Sequence, residues 1–105
     1  MTGGAGEIGA GGITAITQGA IFSMVTAAAR ELQDTNVRVN EAFLNARVDY
    51  DEVAEEKGNV MKASDYGKLY AQILEKQDLK GYRVNCSGPS DLDASNVRKK
   101  SNWKV

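Results

Sequence analysis

The chain has 105 residues, 13 of them basic and 14 acidic, with one cysteine and no histidine. That length supports one small domain with a thin core, and a net charge of -1 gives no field that would draw the whole protein to nucleic acid or a membrane. The lone Cys86 excludes an internal disulfide and fits a reducing compartment. The lack of His argues against a structural zinc site, and no metal is expected. No apolar run approaches the roughly 20 residues that span a bilayer. The first residues also lack a basic stretch followed by an apolar one, so no signal peptide is expected and the cytoplasm is the expected location.

Residues 2–12, TGGAGEIGAGG, hold six of the eleven glycines and read as a loop. From Ile13 the spacing turns helical. Ile13, Ile16, Thr17, Ala20, Ile21, Met24, Val25, Ala28 and Leu32 share one face and predict a helix over 13–33, stopped by DTN at 34–36. VRVNEAFL (37–44) alternates, is rich in Val and reads as a strand. DYDEVAEEKGN predicts a short acidic helix ending at Gly58. Ser64, an N-cap residue with Asp65 beside it, opens a helix through 77. The core face of that helix would be Tyr66, Leu69, Tyr70, Ile73 and Leu74. Gly81 starts a turn, and YRVNC (82–86) reads as a second strand. Residues 1–92 then form one domain and 93–105 a polar, extended tail with a basic end. Loop, long helix, strand, helices, strand is an α/β order.

Two of these stretches, AARELQDTNVRVN (28–40) and GYRVNCSG (81–88), carry a resemblance. Over roughly residues 10–92 the chain resembles the C-terminal half of the short-chain dehydrogenase/reductase family. There a Tyr-x-x-x-Lys pair begins a long helix, small residues lead to an Ala-x-Glu-Leu segment, and an Arg-Val-Asn strand follows. Ala29, Glu31, Leu32, Arg38, Val39 and Asn40 stand in those places. The resemblance implies a truncated Rossmann-like half-domain with one long helix, two short parallel strands and one or two further helices. It also implies a dimer, since the family's helix matching 13–33 packs on its copy across a two-fold axis.

The departures from the family bear on chemistry. The Tyr position holds Thr14, the Lys position Gln18, and the Pro-Gly after the Arg-Val-Asn strand is Leu44-Asn45. The family's Ser falls at or near Met1, so it is absent or replaced by Thr2. In the family the phenol exchanges a proton with substrate, while the Lys lowers its pKa and holds the cofactor ribose. A Thr hydroxyl is too weak an acid for that work, and Gln carries no charge to tune it. The resemblance therefore implies a lost proton relay.

TGGAGEIG (2–9) imitates a dinucleotide fingerprint. Such a loop needs a strand before it, a helix N-terminus after it and an acidic ribose ligand about 20 residues on. Here no strand is expected before residue 2, and positions 13–33 are one helix. A structural glycine loop, with no nicotinamide cofactor, is the expectation.

Thr14, Thr17 and Gln18 either line a small-molecule pocket or form a polar first turn facing solvent or a partner helix. Strand ends gather ligand sites in α/β sheets, so Leu44, Asn45 and Asp49 are the expected neighbours. In that reading Thr14 and Gln18 orient a carbonyl or hydroxyl, Asp49 accepts a proton when partly buried, and Thr17, Leu44 and Asn45 contact the substrate. Asp49, Asp51, Glu52, Glu55 and Glu56 either supply a general acid or base or a weak cation site, or form a solvated helix face, which is the expectation. The four tyrosines read as core or interface, and Cys86 as a buried small hydrophobe. Arg98, Lys99, Lys100 and Lys104 around Trp103 either touch an anionic partner or are solvated.

Three functions follow. The first is a reductase-like protein that binds a small, mostly apolar molecule and performs a non-redox step in biosynthesis, such as cyclisation, isomerisation or elimination. The second is a non-catalytic subunit or scaffold that docks on itself or on a full-length relative. The third, ranked last, is an NAD(P)-dependent oxidoreductase. A homo-oligomer, most simply a dimer, is expected, with no nucleic-acid or membrane partner.

Overall fold

The structure, a computed structural model, describes residues 1–4, 9 and 11–100. Strand β1 (Thr2–Gly3) leads into the glycine run, and helix α1 (Ile13–Glu31) follows it. β2 (Glu41–Leu44) then enters the sheet. A small ribbon comes next, made of β3 (Val48–Asp49) and β4 (Met61–Lys62) around helix α2 (Asp51–Lys57). Helix α3 (Ala63–Glu75) leads to β5 (Tyr82–Cys86), a 3-10 turn (Pro89–Asp91) and β6 (Val97–Lys99). The main sheet has the order β1-β2-β5-β6, parallel except for β6, and β3 pairs with β4 in parallel as a separate ribbon.

This is the expected α/β half-layer, with β2 and β5 as the two parallel strands. Four short strands were not foreseen: β1, β3, β4 and β6. Two or three residues carry too little alternation to be read as strands. β1 also corrects one expectation, because a strand does deliver the chain to the glycine run. Gly4, directly after β1, is helical, and Gly9, the fingerprint's last glycine, has φ of 69°, in the left-handed region. Gly6 lies outside the described residues.

The sheet has two unlike faces. On one, Val84 and Cys86 of β5 pack with Tyr66 and Leu69 of α3, with Met61, Leu79 and Ala94 completing the buried core. Two residues expected on the core face of α3 lie outside it: Leu74 is 71% exposed and Tyr70 is also exposed. The expected strand 37–44 is ordered as β only from Glu41, because the residues before it do other work. Arg38 donates to the carbonyls of Ile73, Lys76 and Leu79 at 3.3, 2.9 and 3.1 Å, satisfying the open end of α3. Asn40 donates to the Leu79 carbonyl at 2.9 Å and accepts from the Tyr82 N–H at 3.0 Å. The Arg-Val-Asn segment thus ties the end of one helix to the start of the next strand.

The residues expected as a tail are a correction as well. Ala94 is buried, β6 adds antiparallel to β5, and the Lys100 side chain reaches back to β2. Their polar composition concealed this, since Lys100 has its partner, Glu41, in the sheet. Trp103 and Lys104 lie outside the described residues. Among the described residues, no helix is long and apolar enough to cross a membrane.

Candidate ligand-binding site

The other face of the sheet, beneath α1, is built around a buried carboxylate. Alternation along β2 puts Glu41 and Phe43 on this side, and register puts Glu41 beside Arg83 of β5. Arg83 Nε donates to Glu41 Oε1 at 2.9 Å, Lys100 Nζ donates to the same oxygen at 2.6 Å, and the Thr2 hydroxyl donates to Oε2. Burial by itself would raise the Glu41 carboxyl. The hydrogen bonds from Lys100, Thr2 and Arg83, with the charge of Lys100, outweigh burial and hold it below the ordinary carboxylate range. The Arg83 guanidinium lies over Phe43 at 4.4 Å and over Phe22 of α1 at 5.0 Å, with Lys100 Nζ 4.6 Å from the Phe22 ring.

Next to this cluster is an open hollow of about 210 Å³ between α1 and the strand ends, lined by Gly3, Gln18, Gly19, Phe22, Phe43 and Arg83 with Thr2 and Glu41. Gly3 and Gly19 present no side chain, which keeps it open. The Gln18 side-chain oxygen is buried there with no hydrogen-bond partner among the described residues. A buried acceptor left unpaired costs roughly 1–3 kcal/mol, so it marks a place where a donor would be held.

The residues expected at the site fall into two groups. Gln18, Leu44 and Asn45 come together around β1: the Leu44 carbonyl and the Gln18 amide flank Gly3, and the Asn45 side chain lies so close to Gly4 that a Cβ there would meet its oxygen at 2.9 Å. Thr14 is exposed at the helix start, and the Thr17 hydroxyl is used within the helix, donating to the Thr14 carbonyl at 3.0 Å. Asp49 lies in the β3–β4 ribbon, accepts from the Tyr50 N–H at 2.9 Å and faces Lys57 at 3.6 Å.

Sequence reasoning missed Glu41, Arg83 and Lys100. A signal was present: Glu41 and Arg83 are opposite charges inside two stretches that both read as strands, and strand interiors hold charges mainly in pairs. Cys86 is buried, and burial pushes its thiol up, which suits a core residue. No group of three or more metal-ligating side chains occurs among the described residues.

A long helix over a parallel three-strand layer, with an Arg-Val-Asn link into its second strand, defines a Rossmann-like half of an α/β fold. Over 97 residues the chain is 40% identical to the short-chain dehydrogenase/reductase iacG of Pestalotiopsis fici. The match takes in 89% of the chain and 39% of that protein, so the chain spans well under half of the relative's length. The chain is therefore similar to a short-chain dehydrogenase/reductase over part of that protein's length. No family model matches it, and no solved structure does.

Proposed function

We propose that the chain binds a small, mostly apolar molecule in the hollow under α1, and that any chemistry there is non-redox. The observation that carries this reading is the buried, unpartnered Gln18 oxygen in a space walled by Phe22, Phe43 and two glycines. An apolar cavity of about 150 Å³ holds a benzene, so about 210 Å³ suits a ring-sized group carrying one hydrogen-bond donor. Gln18 would orient a hydroxyl or amide, and polarisation of a carbonyl would need its amide turned the other way.

The nicotinamide arrangement of the family does not fit these residues. Where the resemblance implies a charged Lys on the ribose, Gln18 has an uncharged amide whose oxygen is buried against Gly3. Where it implies a phenol, Thr14 offers an exposed alcohol. Cyclisation, isomerisation or elimination needs only a shaped space and one or two polar groups, which Gln18 and its neighbours supply. Asp49, held to Lys57, has a lesser part in this reading than Gln18.

A second reading, self-association, is compatible with the first. It is favoured by α1, on which Ile13 is 78%, Ile16 72% and Met24 63% exposed while only Ala29 is buried. Apolar side chains in that density favour a covered face. Calorimetric titration with NADPH and with 1-naphthalenemethanol, a neutral apolar probe, tests the main reading. Binding of the probe without NADPH is expected, and low-micromolar NADPH affinity would overturn it.

A further inference from the structure

Gly19 stands on the inward stripe of α1 with Ala15, Gln18, Phe22 and Ala29, where side chains ordinarily fill the space between a helix and the sheet beneath it. It is half-buried and lines the hollow under α1. Glycine is a poorer choice than alanine inside a helix, because it loses more chain freedom on folding. Neither of the usual reasons for one holds here. Its φ lies outside the left-handed region, and a Cβ added to it would meet no described atom within 4 Å. Gly67 of α3 also has nothing within 4 Å, but it is exposed, so a side chain there would enter solvent. At Gly19 the same omission opens a walled space.

We propose that Gly19 sets the size of the ligand, and that the hollow prefers a fused two-ring alcohol to a single-ring one. This rests on the reading of the Gln18 hollow and adds to it the class of ring and the residue that selects it. The first ground is volume. The hollow, about 210 Å³, exceeds by roughly 60 Å³ a cavity that holds one benzene. The second ground is placement. The Gln18 oxygen sits against the wall of Gly3, where a Cβ would lie 3.8 Å from it. A hydroxyl donating to that oxygen leaves the rings to lie beside Gly19, against Phe22 and Phe43. A methyl at residue 19 would enter the same space, and a filled site does not take an added carbon without displacing something.

Calorimetry on the full chain compares 1-naphthalenemethanol with benzyl alcohol, in the parent and in three variants. The parent is expected to bind the two-ring alcohol at least about tenfold more tightly, from the added apolar surface it buries. Gly19→Ala is expected to weaken 1-naphthalenemethanol about tenfold and benzyl alcohol by less than about twofold. It should also raise the thermal midpoint by a few degrees, since alanine is the better helix former. Gly67→Ala should give a similar rise and leave both affinities unchanged. A more stable protein that has lost its size preference is a result that a merely structural glycine would not give. Equal binding of the two alcohols by the parent would overturn the proposal, as would a size preference that survives Gly19→Ala. Gln18→Leu separates the two readings. If it weakens both alcohols while Gly19→Ala weakens neither, the Gln18 hollow stands and the role of Gly19 does not. If it changes neither while Gly19→Ala still weakens 1-naphthalenemethanol, the ring site stands and the role of Gln18 does not.

Discussion

Arg83 and Glu41 sit side by side on adjacent parallel strands, with Nε and Oε1 2.9 Å apart and the Glu41 side chain fully buried. The pair lies on the face where an apolar layer would ordinarily meet the long helix. Lys100 joins it from 59 residues away in sequence, so one carboxylate holds the last described residue to the second strand of the sheet. A buried pair of this kind adds little net stability when intact, because desolvation offsets attraction, but breaking it leaves uncompensated charge.

Glu41→Ala is therefore expected to destabilise the fold by about 3 kcal/mol or more, since it leaves the buried Lys100 ammonium without the carboxylate it meets. Urea unfolding of the parent and the variant measures this. A loss below about 0.5 kcal/mol, the range of ordinary surface changes, would show that the network does not hold the fold.

The same carboxylate sets an acid limit. Its folded-state pKa lies below its unfolded value of about 4.5, so its contribution is fully present above that value and is lost as pH falls through the folded one. Stability measured from pH 7 down to pH 3 should fall in the acid range, and more steeply in the parent than in Glu41→Gln. Parallel curves would contradict this.

How much was legible follows from element length and from where side chains point. α1, α2 and α3 were readable within a residue or two of their ends because each spans at least one full period of spacing, and YRVNC was readable because its strand is five residues long. Gly58, with φ of 73°, ends α2 as expected of a glycine C-cap. Ser64 was the misplaced cap: Lys62 occupies that position, and Ser64 is inside α3 with its N–H donating to Asp51. The burial of α1 was not legible. Its apolar spacing implies a covered face, yet most of that face is open within one chain. At the site, Gln18 was reachable through the resemblance, whereas the Glu41 cluster required knowing which residues register pairs across strands.

Tyr66 is buried, and its hydroxyl meets no hydrogen-bond partner among the described residues. Burial, with a smaller effect of Tyr70, pushes its pKa well above the usual phenol range. Tyr66→Phe keeps the ring and removes an unsatisfied group, so it is expected to leave stability unchanged or raise it by up to about 1 kcal/mol. A loss of more than that on thermal or urea unfolding would show that the hydroxyl is bonded after all.

If α1 is covered by a second copy, light scattering should give a dimer at micromolar concentration, and Ile16→Asp should give a monomer with the fold retained by circular dichroism. A parent that is already monomeric would remove the self-association reading.

The hollow under α1 is tested most directly by two-dimensional NMR of the 15N-labelled protein titrated with 1-naphthalenemethanol. Shifts should concentrate on the Gln18 side-chain amide and on the backbone of Gly3, Gly19, Phe22 and Phe43, with little change at Asp49, and Gln18→Leu should weaken them. Shifts confined to the β3–β4 ribbon, or none at concentrations that saturate other apolar sites, would contradict a ligand site centred on Gln18.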